Sequence, residues 1–312
     1  MGRSTGLAGP AGAAADTPRT AVTARPAGPG QPAARARDAR DEPDVPARDL
    51  RLPAPAGPAR GHRTPVASDP YGAVVDRVAA ALEEVFLVVA ATGDDTGALL
   101  AEASRTGRTP LAGDLAALRP GLRDRLDRHP LVSGVGFVAA PGLLGDVPGC
   151  LEWWQRGPGG AVRPLLLDLD PEHSAYSDYT HWDWYTLPRE TGRRAVAGPY
   201  VDYLCSDEYS LTLSEPVAVD GAFLGVAAAD VYLRHFEAAV LPALQALPAP
   251  ARLVNARGRV AASTDPAHLV GSLTRGPDFG AVLAGPPAGH HADGLRLLPC
   301  AGTPLVLVTT ED

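Results

Sequence analysis

Residues 176–209, YSDYTHWDWYTLPRETGRRAVAGPYVDYLCSDEY, hold an unusual share of the side chains that could do chemistry. Aromatics make up only 5% of the 312-residue chain, yet this stretch carries Trp182, Trp184, Tyr176, Tyr179, Tyr185, Tyr200, Tyr203 and Tyr209. Asp178, Asp183, Asp202 and Asp207 are interleaved with them. Ring faces attract a cation through their quadrupole, and a carboxylate accepts charge-assisted hydrogen bonds from its N–H groups. Rings with carboxylates therefore suit an ammonium ligand. The same residues equally describe an aromatic-rich core whose loops carry exposed acids.

Two enzymatic readings use the same stretch. Cys205 beside Asp207, with His173, His181 and His235 elsewhere, offers a thiol nucleophile. Acidic surroundings, however, raise a thiol pKa and so oppose that use. His181, Asp183 and Asp207 offer metal ligands, although their spacing fits no strong ligand pattern. A hydrolase or metal-dependent enzyme built on His181, Asp183, Cys205 and Asp207 is thus the alternative to a binding protein. The chain contains no Lys, which excludes a Schiff base and a P-loop Lys. No nucleophile elbow or dinucleotide fingerprint occurs. Cys150, Cys205 and Cys300 are odd in number and far apart, so neither a disulfide framework nor a zinc ribbon is indicated.

Charge narrows the partners. The net charge is −8, and ten of the 28 Arg but only six of the 36 acids lie in the first 65 residues, leaving the remainder near −12. That balance disfavours nucleic acid and suits a cationic small molecule. No run of about 18 apolar residues and no secretory h-region is present, so no membrane span is expected and a soluble, cytoplasmic protein is.

The elements that would position these residues follow from periodicity. Residues 1–65 are rich in Ala, Pro, Gly and Arg and poor in large apolar residues, which predicts disorder. Val74, Val75, Val78, Leu82, Val85 and Val89 share one face of a predicted long helix. A second helix is predicted over 97–105 and a third over LAALRPGLRDRLDRHP. Strands follow in LVSGVGFVAAP, CLEWWQR, VRPLLLDLD, RAVAGPYVD, YSLTLSEPVAV and GAFLGVAAADVY, the last two forming a hairpin about Asp220-Gly221. Trp153 and Trp154 alternate faces of one strand, so only one of them can point into a pocket. LRHFEAAVLPALQAL is a helix. A smaller unit then holds hairpins about Arg257-Gly258 and in GLRLLPCAGTPLVLVTT, a short helix in DPAHLVGSL, and His290-His291 in a solvated loop. The order predicts an α+β fold with antiparallel sheets. The domains expected are 1–65 (tail), 66–248 (ligand-binding module) and 249–312 (smaller second module).

In this order the motifs resemble the double Cache (dCache) sensor domains of bacterial chemoreceptors and sensor kinases. The features that carry the resemblance are the long helix before HPLVSGVGFVAAP, the Trp-Tyr of HWDWYTLP, GPYVD followed by YSLTLSEPVAVDGAFLGVAAADVYL, and the coda LVNARGRVAASTDPAHLVGSL with GTPLVLVTT. Together they cover about residues 70–312. The resemblance implies a PAS-like architecture, no cofactor and no catalysis. It also implies a ligand pattern of Arg-x-Trp-Tyr, Tyr-x-Asp and a closing Asp, which falls here on Trp184, Tyr185, Tyr200, Asp202 and Asp230. The Arg that would grip a ligand carboxylate is replaced by Trp182, whose ring cannot make that bidentate bond. An amine lacking a carboxylate is therefore expected, unless Arg189, Arg193 or Arg194 supplies the grip. The expected ligand-binding set is Trp182, Trp184, Tyr185, Tyr200, Asp202 and Asp230, Asp230 having the alternative of capping the helix that follows it. The expected partners are an amine or amino-acid-like ligand, a second copy through the N-terminal helix, and an unnamed signalling partner. A dimeric scaffold without ligand is the third reading.

Overall fold

A computed structural model describes residues 69–174, 176–202, 208–286 and 289–310. The predicted disordered tail, and with it Tyr203, Cys205 and Asp207, lies outside the described residues.

Helix α1 (Pro70–Arg105) opens with Asp69, whose carboxylate accepts from the Tyr71 N–H, and with Pro70 in its first turn. It is one continuous helix of 36 residues, where two had been predicted. Thr92 and Gly93, poor helix residues between the two predicted helices, do not break it. The buried Thr92 and Thr96 hydroxyls donate to the carbonyls of Val88 and Thr92, four residues back, and burial of Leu100 and Ala103 continues the apolar stripe past the glycines. A 3-10 segment (Ala112–Leu118) and α2 (Arg119–Arg128) follow.

Six strands then form the first sheet. They are β1 (Gly134–Ala139), β2 (Leu151–Arg156), β3 (Val162–Pro164), β4 (Ala195–Asp202), β5 (Glu208–Val219) and β6 (Ala222–Tyr232), in the order β3-β2-β1-β6-β5-β4 with every pairing antiparallel. The predicted strand VRPLLLDLD is only three residues long, since Pro164 removes a ladder donor at the sheet edge. Asp220 (φ 52°) and Gly221 (φ 79°) make the two-residue turn between β5 and β6. Between β3 and β4 lies α3 (Asp183–Thr191), closed by Gly192 at φ 65°.

Helix α4 (Leu233–Gln245) leads into a second antiparallel sheet of β7 (Ala251–Asn255), β8 (Val260–Ser263), β9 (His290–Ala292), β10 (Leu295–Pro299) and β11 (Leu305–Thr310), ordered β8-β7-β11-β10-β9. The helix predicted in DPAHLVGSL is instead a run of turns, while Phe279–Ala284 forms a short helix, α5, that the sequence reading missed. His290 and His291 lie in β9, not in a loop.

The alternation of strand residues sorts the first sheet into two faces. Val135, Phe137, Leu211, Leu213, Ala227, Ala229 and Val231 pack with α1 and α4 in the main core, which runs on to Leu253, Ala261 and Leu307 of the second sheet. The opposite face carries Val138, Trp153, Val226 and Ala228, packed with Tyr179 and Tyr185. That second face holds the candidate site.

Candidate functional site

The site face owes its arrangement to a bulge in β4. Ala195 lies opposite Ser214, and Ala197 opposite Thr212. The register then shifts at Gly198-Pro199, so that Tyr200 lies opposite Ser210 and Asp202 opposite Glu208. Directly opposed residues share a face. Without the extra residue, strict alternation from Ala195 and Ala197 would bring Pro199 and Val201 to this face and send Tyr200 and Asp202 to the other. Gly198 makes the bulge possible. Its φ is 106°, and a Cβ there would stand 2.6 Å from the Ser210 carbonyl oxygen.

The bulge joins Tyr200 to a polar chain that crosses three strands. Thr212 of β5 lies opposite Asp230 of β6, and its hydroxyl donates to Asp230 Oδ1 at 2.6 Å. With its proton so committed, Thr212 Oγ1 accepts from the Tyr200 hydroxyl. The Trp182 ring stacks on Tyr200, with centroids 6.1 Å apart and planes 27° apart. Asp202 and Asp230 are each 8% exposed. Burial first, and then the Asp202 charge, push the Asp230 carboxyl up to about 8 against the opposing Thr212 hydrogen bond. Asp230 does not cap α4. The capping position is Tyr232, whose own side chain makes no capping bond.

The six expected site residues therefore divide. Trp182, Tyr200 and Asp230 are linked through the ring stack and Thr212, and Asp202 lies close enough for its charge to act on Asp230. Tyr185 is 1% exposed and sits in the apolar cluster under α3, edge-on to Tyr179 at 5.3 Å and to Phe223 at 5.9 Å. Trp184 is partly buried and meets the Tyr185 ring edge-on at 6.1 Å. This pair packs α3 onto the sheet. Of the arginines considered for a carboxylate grip, Arg194 points to the other face, where it pairs with Glu83 at 2.8 Å and covers the Phe86 ring. Arg189 is exposed and pairs with Glu190.

Thr212 was not foreseen as a site residue, and the sequence alone leaves open which of Trp153 and Trp154 faces the site. A Thr in a strand gives no signal of its own. It becomes legible only once its register with Asp230 is known. Trp153 is the member of the Trp153-Trp154 pair on the site face. Trp154 faces the core, where its indole donates to Glu152 and Arg123 covers its ring. Of the enzymatic alternative, His181 pairs loosely with Asp178 at 3.7 Å and Asp183 is exposed in the first turn of α3. Among the described residues no three His, Cys, Asp or Glu are placed to hold a metal, and no helix is long and apolar enough to cross a membrane. Two surface clefts, of about 370 and 320 Å³, run beside α1 and the β5–β6 turn and include none of the six residues.

Comparison with known proteins points to the same segment. Residues 166–238 match the family described as methyl-accepting chemotaxis protein-like, first PDC sensor domain. The chain is 30% identical over 107 residues to the methyl-accepting chemotaxis protein TlpQ of Pseudomonas aeruginosa. That match covers 33% of this chain and 15% of the relative's length. Among solved structures, the ligand-binding domain of the amino acid chemoreceptor PctC of P. aeruginosa PAO1, in complex with GABA, is 21% identical. It covers 76% of this chain and 95% of its own, with a TM-score of 0.47. The ligand-binding domain of the Campylobacter jejuni chemoreceptor Tlp3, in complex with L-valine, is 15% identical, with coverages of 78% and 94% and a TM-score of 0.49. Over residues 166–238, which contain all six candidate residues, the chain thus matches a first PDC sensor domain of the chemotaxis-receptor type, and the resemblance to Cache sensors read from its sequence is borne out there.

Proposed function

We propose that this chain is a non-catalytic small-molecule sensor. Its 66–248 module holds an organic ammonium ligand, and its 249–312 module serves a structural or relay role. The observation that carries this reading is the polar chain Tyr200–Thr212–Asp230, set beside Asp202 and under the Trp182 ring. Two acids this little exposed repel one another and are poorly solvated. An ammonium group relieves both conditions. It accepts the field of two carboxylates, donates hydrogen bonds to them, and presents its alkyl substituents to the Trp182–Tyr200 stack. Trp182, standing where the resemblance places an Arg, leaves no guanidinium there for a ligand carboxylate. The favoured ligands are therefore amines and methylated amines over α-amino acids. Ligand binding would shift a two-state population that a signalling partner reads.

The test is a thermal-shift and calorimetric screen of the purified chain against amines, methylated amines, polyamines and amino acids. Binding to the folded state alone raises the melting temperature as ligand increases. Stabilisation by amines that is lost in both Asp202→Asn and Asp230→Asn is the expected result. Absence of any shift up to about 100 times the concentration that a micromolar ligand needs would sink the amine assignment, as would stabilisation that survives both substitutions.

A further inference from the structure

We infer that Trp153 is a specificity-determining ligand contact whose indole N–H donates to an uncharged acceptor on the ligand, so that the ligand is an amine carrying a hydroxyl, carbonyl or similar acceptor and not a bare alkylammonium. This rests on the reading of the site as an ammonium pocket and specifies what else the ligand must carry.

The geometry starts from two glycines. Gly134 of β1 lies opposite Asp230, and Gly136 lies opposite both Ala228 and Trp153. With no side chains on these positions, the Trp153 indole lies over β1. A Cβ on Gly134 would meet Trp153 Nε1 at 2.9 Å, and one on Gly136 would meet Trp153 Cε3 at 2.9 Å. The nitrogen end of the ring therefore sits over Gly134, in the same row across the sheet as Asp230 and Thr212. Trp153 is 6% exposed, and its Nε1 is buried with no hydrogen-bond partner among the described residues. In the adjoining row, Ser214–Ala228–Gly136, the fully buried Ser214 hydroxyl also has no partner among the described residues.

A buried indole N–H without an acceptor is disfavoured, and a buried tryptophan usually directs that group to a partner. Here the ring lies over two glycines, with its nitrogen over Gly134 in the row that holds the acid proposed to bind the ammonium. A bulkier residue at 134 would have closed this approach. A bare alkylammonium satisfies Asp230 and leaves the indole N–H unmade. A ligand bearing an acceptor a few bonds from its nitrogen satisfies both. Discrimination of this kind is large because the penalty falls on the buried protein group when the ligand group is missing.

The experiment compares isosteric pairs on the full chain by calorimetry: ethanolamine with propylamine, 3-aminopropan-1-ol with butylamine, and 4-aminobutan-1-ol with pentylamine. Each pair exchanges a terminal methyl for a hydroxyl. The variants are Trp153→Phe, which keeps an apolar ring and removes the N–H, and Asp230→Asn. At least one hydroxyamine should bind the wild-type chain roughly 5–10-fold more tightly than its alkyl isostere. Trp153→Phe should lower hydroxyamine affinity more than alkylamine affinity and so abolish that preference. Equal affinities within all three pairs, or a Trp153→Phe variant that weakens both members of a pair alike, overturn the inference while leaving the ammonium site standing. Failure of every amine to bind, or binding indifferent to Asp230→Asn, overturns the ammonium site and this inference with it.

Discussion

Replacing Asp230 by Asn tests the electrostatics of the site without any ligand. The carboxyl of Asp230 titrates near 3.8 when unfolded and is pushed up to about 8 in the folded chain, chiefly by burial and then by Asp202. Between those values the folded state holds a proton that the unfolded state has released. Stability must therefore fall as pH rises through this window and level off above it. At about 1.4 kcal/mol per pH unit the full swing is roughly 6 kcal/mol. Roughly half of it, about 2–3 kcal/mol, is expected in a melt, because the retained proton is shared between Asp230 and Asp202 and its release belongs to the pair. Asn keeps an oxygen that accepts from Thr212 and never ionises. The variant should match the wild type only below about pH 4 and exceed it at pH 8, by about 5–10 °C for a chain of this size. Thermal melts of both proteins from about pH 3.5 to 9 measure this directly. Other acids titrate over the same range, and Asp114, Asp178 and Asp265 are shifted the opposite way by their partners. Their contributions cancel in the difference between the two proteins, which is the quantity to plot. A difference that does not change with pH, or a variant less stable than the wild type at pH 8, would refute the claim that Asp230 is desolvated beside a second charge.

Two further substitutions probe the frame of the site and its selectivity. Gly136→Ala places a Cβ against the backbone of Glu152 and Trp153, and should destabilise by about 2–3 kcal/mol in denaturant melts; a neutral outcome would mean that β1 and β2 do not approach as described. Trp182→Arg restores the guanidinium that the resemblance places at this position, and calorimetry should then show L-alanine binding at least about ten-fold more tightly than to the wild type; no gain would mean that residue 182 does not face the ligand.

How far the sequence discloses this site depends on whether the deciding interaction is local. The β5–β6 hairpin was legible because Asp220-Gly221 is a turn signal carried by two adjacent residues. The continuity of α1 was not, because Thr92 and Gly93 are poor helix residues whose effect is overridden by hydroxyls that bond back to the helix and by packing against strands more than 100 residues away. The aromatic-rich stretch was seen as a unit, yet its composition could not say that Tyr185 and Trp184 would pack α3 onto the sheet while Trp182 and Tyr200 stack beside the acids. That division depends on which face of a nine-residue helix meets the sheet.

The placement of Tyr200 and Asp202 shows where a closer reading could have gone further. In RAVAGPYVD, simple alternation from Ala195 assigns Tyr200 and Asp202 to the face of Val196, which packs in the main core. A Gly-Pro inside a strand, however, marks a bulge, since Pro cannot donate to the ladder and Gly accepts the positive φ that an extra residue requires. Counting the two sides of the bulge separately moves Tyr200 and Asp202 to the face of Ala195 and Ala197, and Thr212 lies opposite Ala197. The face is thus written in the sequence at Gly198-Pro199. What is not written there is the register of β5 against β6, which sets Thr212 opposite Asp230 and turns Tyr200, Thr212 and Asp230 into one connected polar chain.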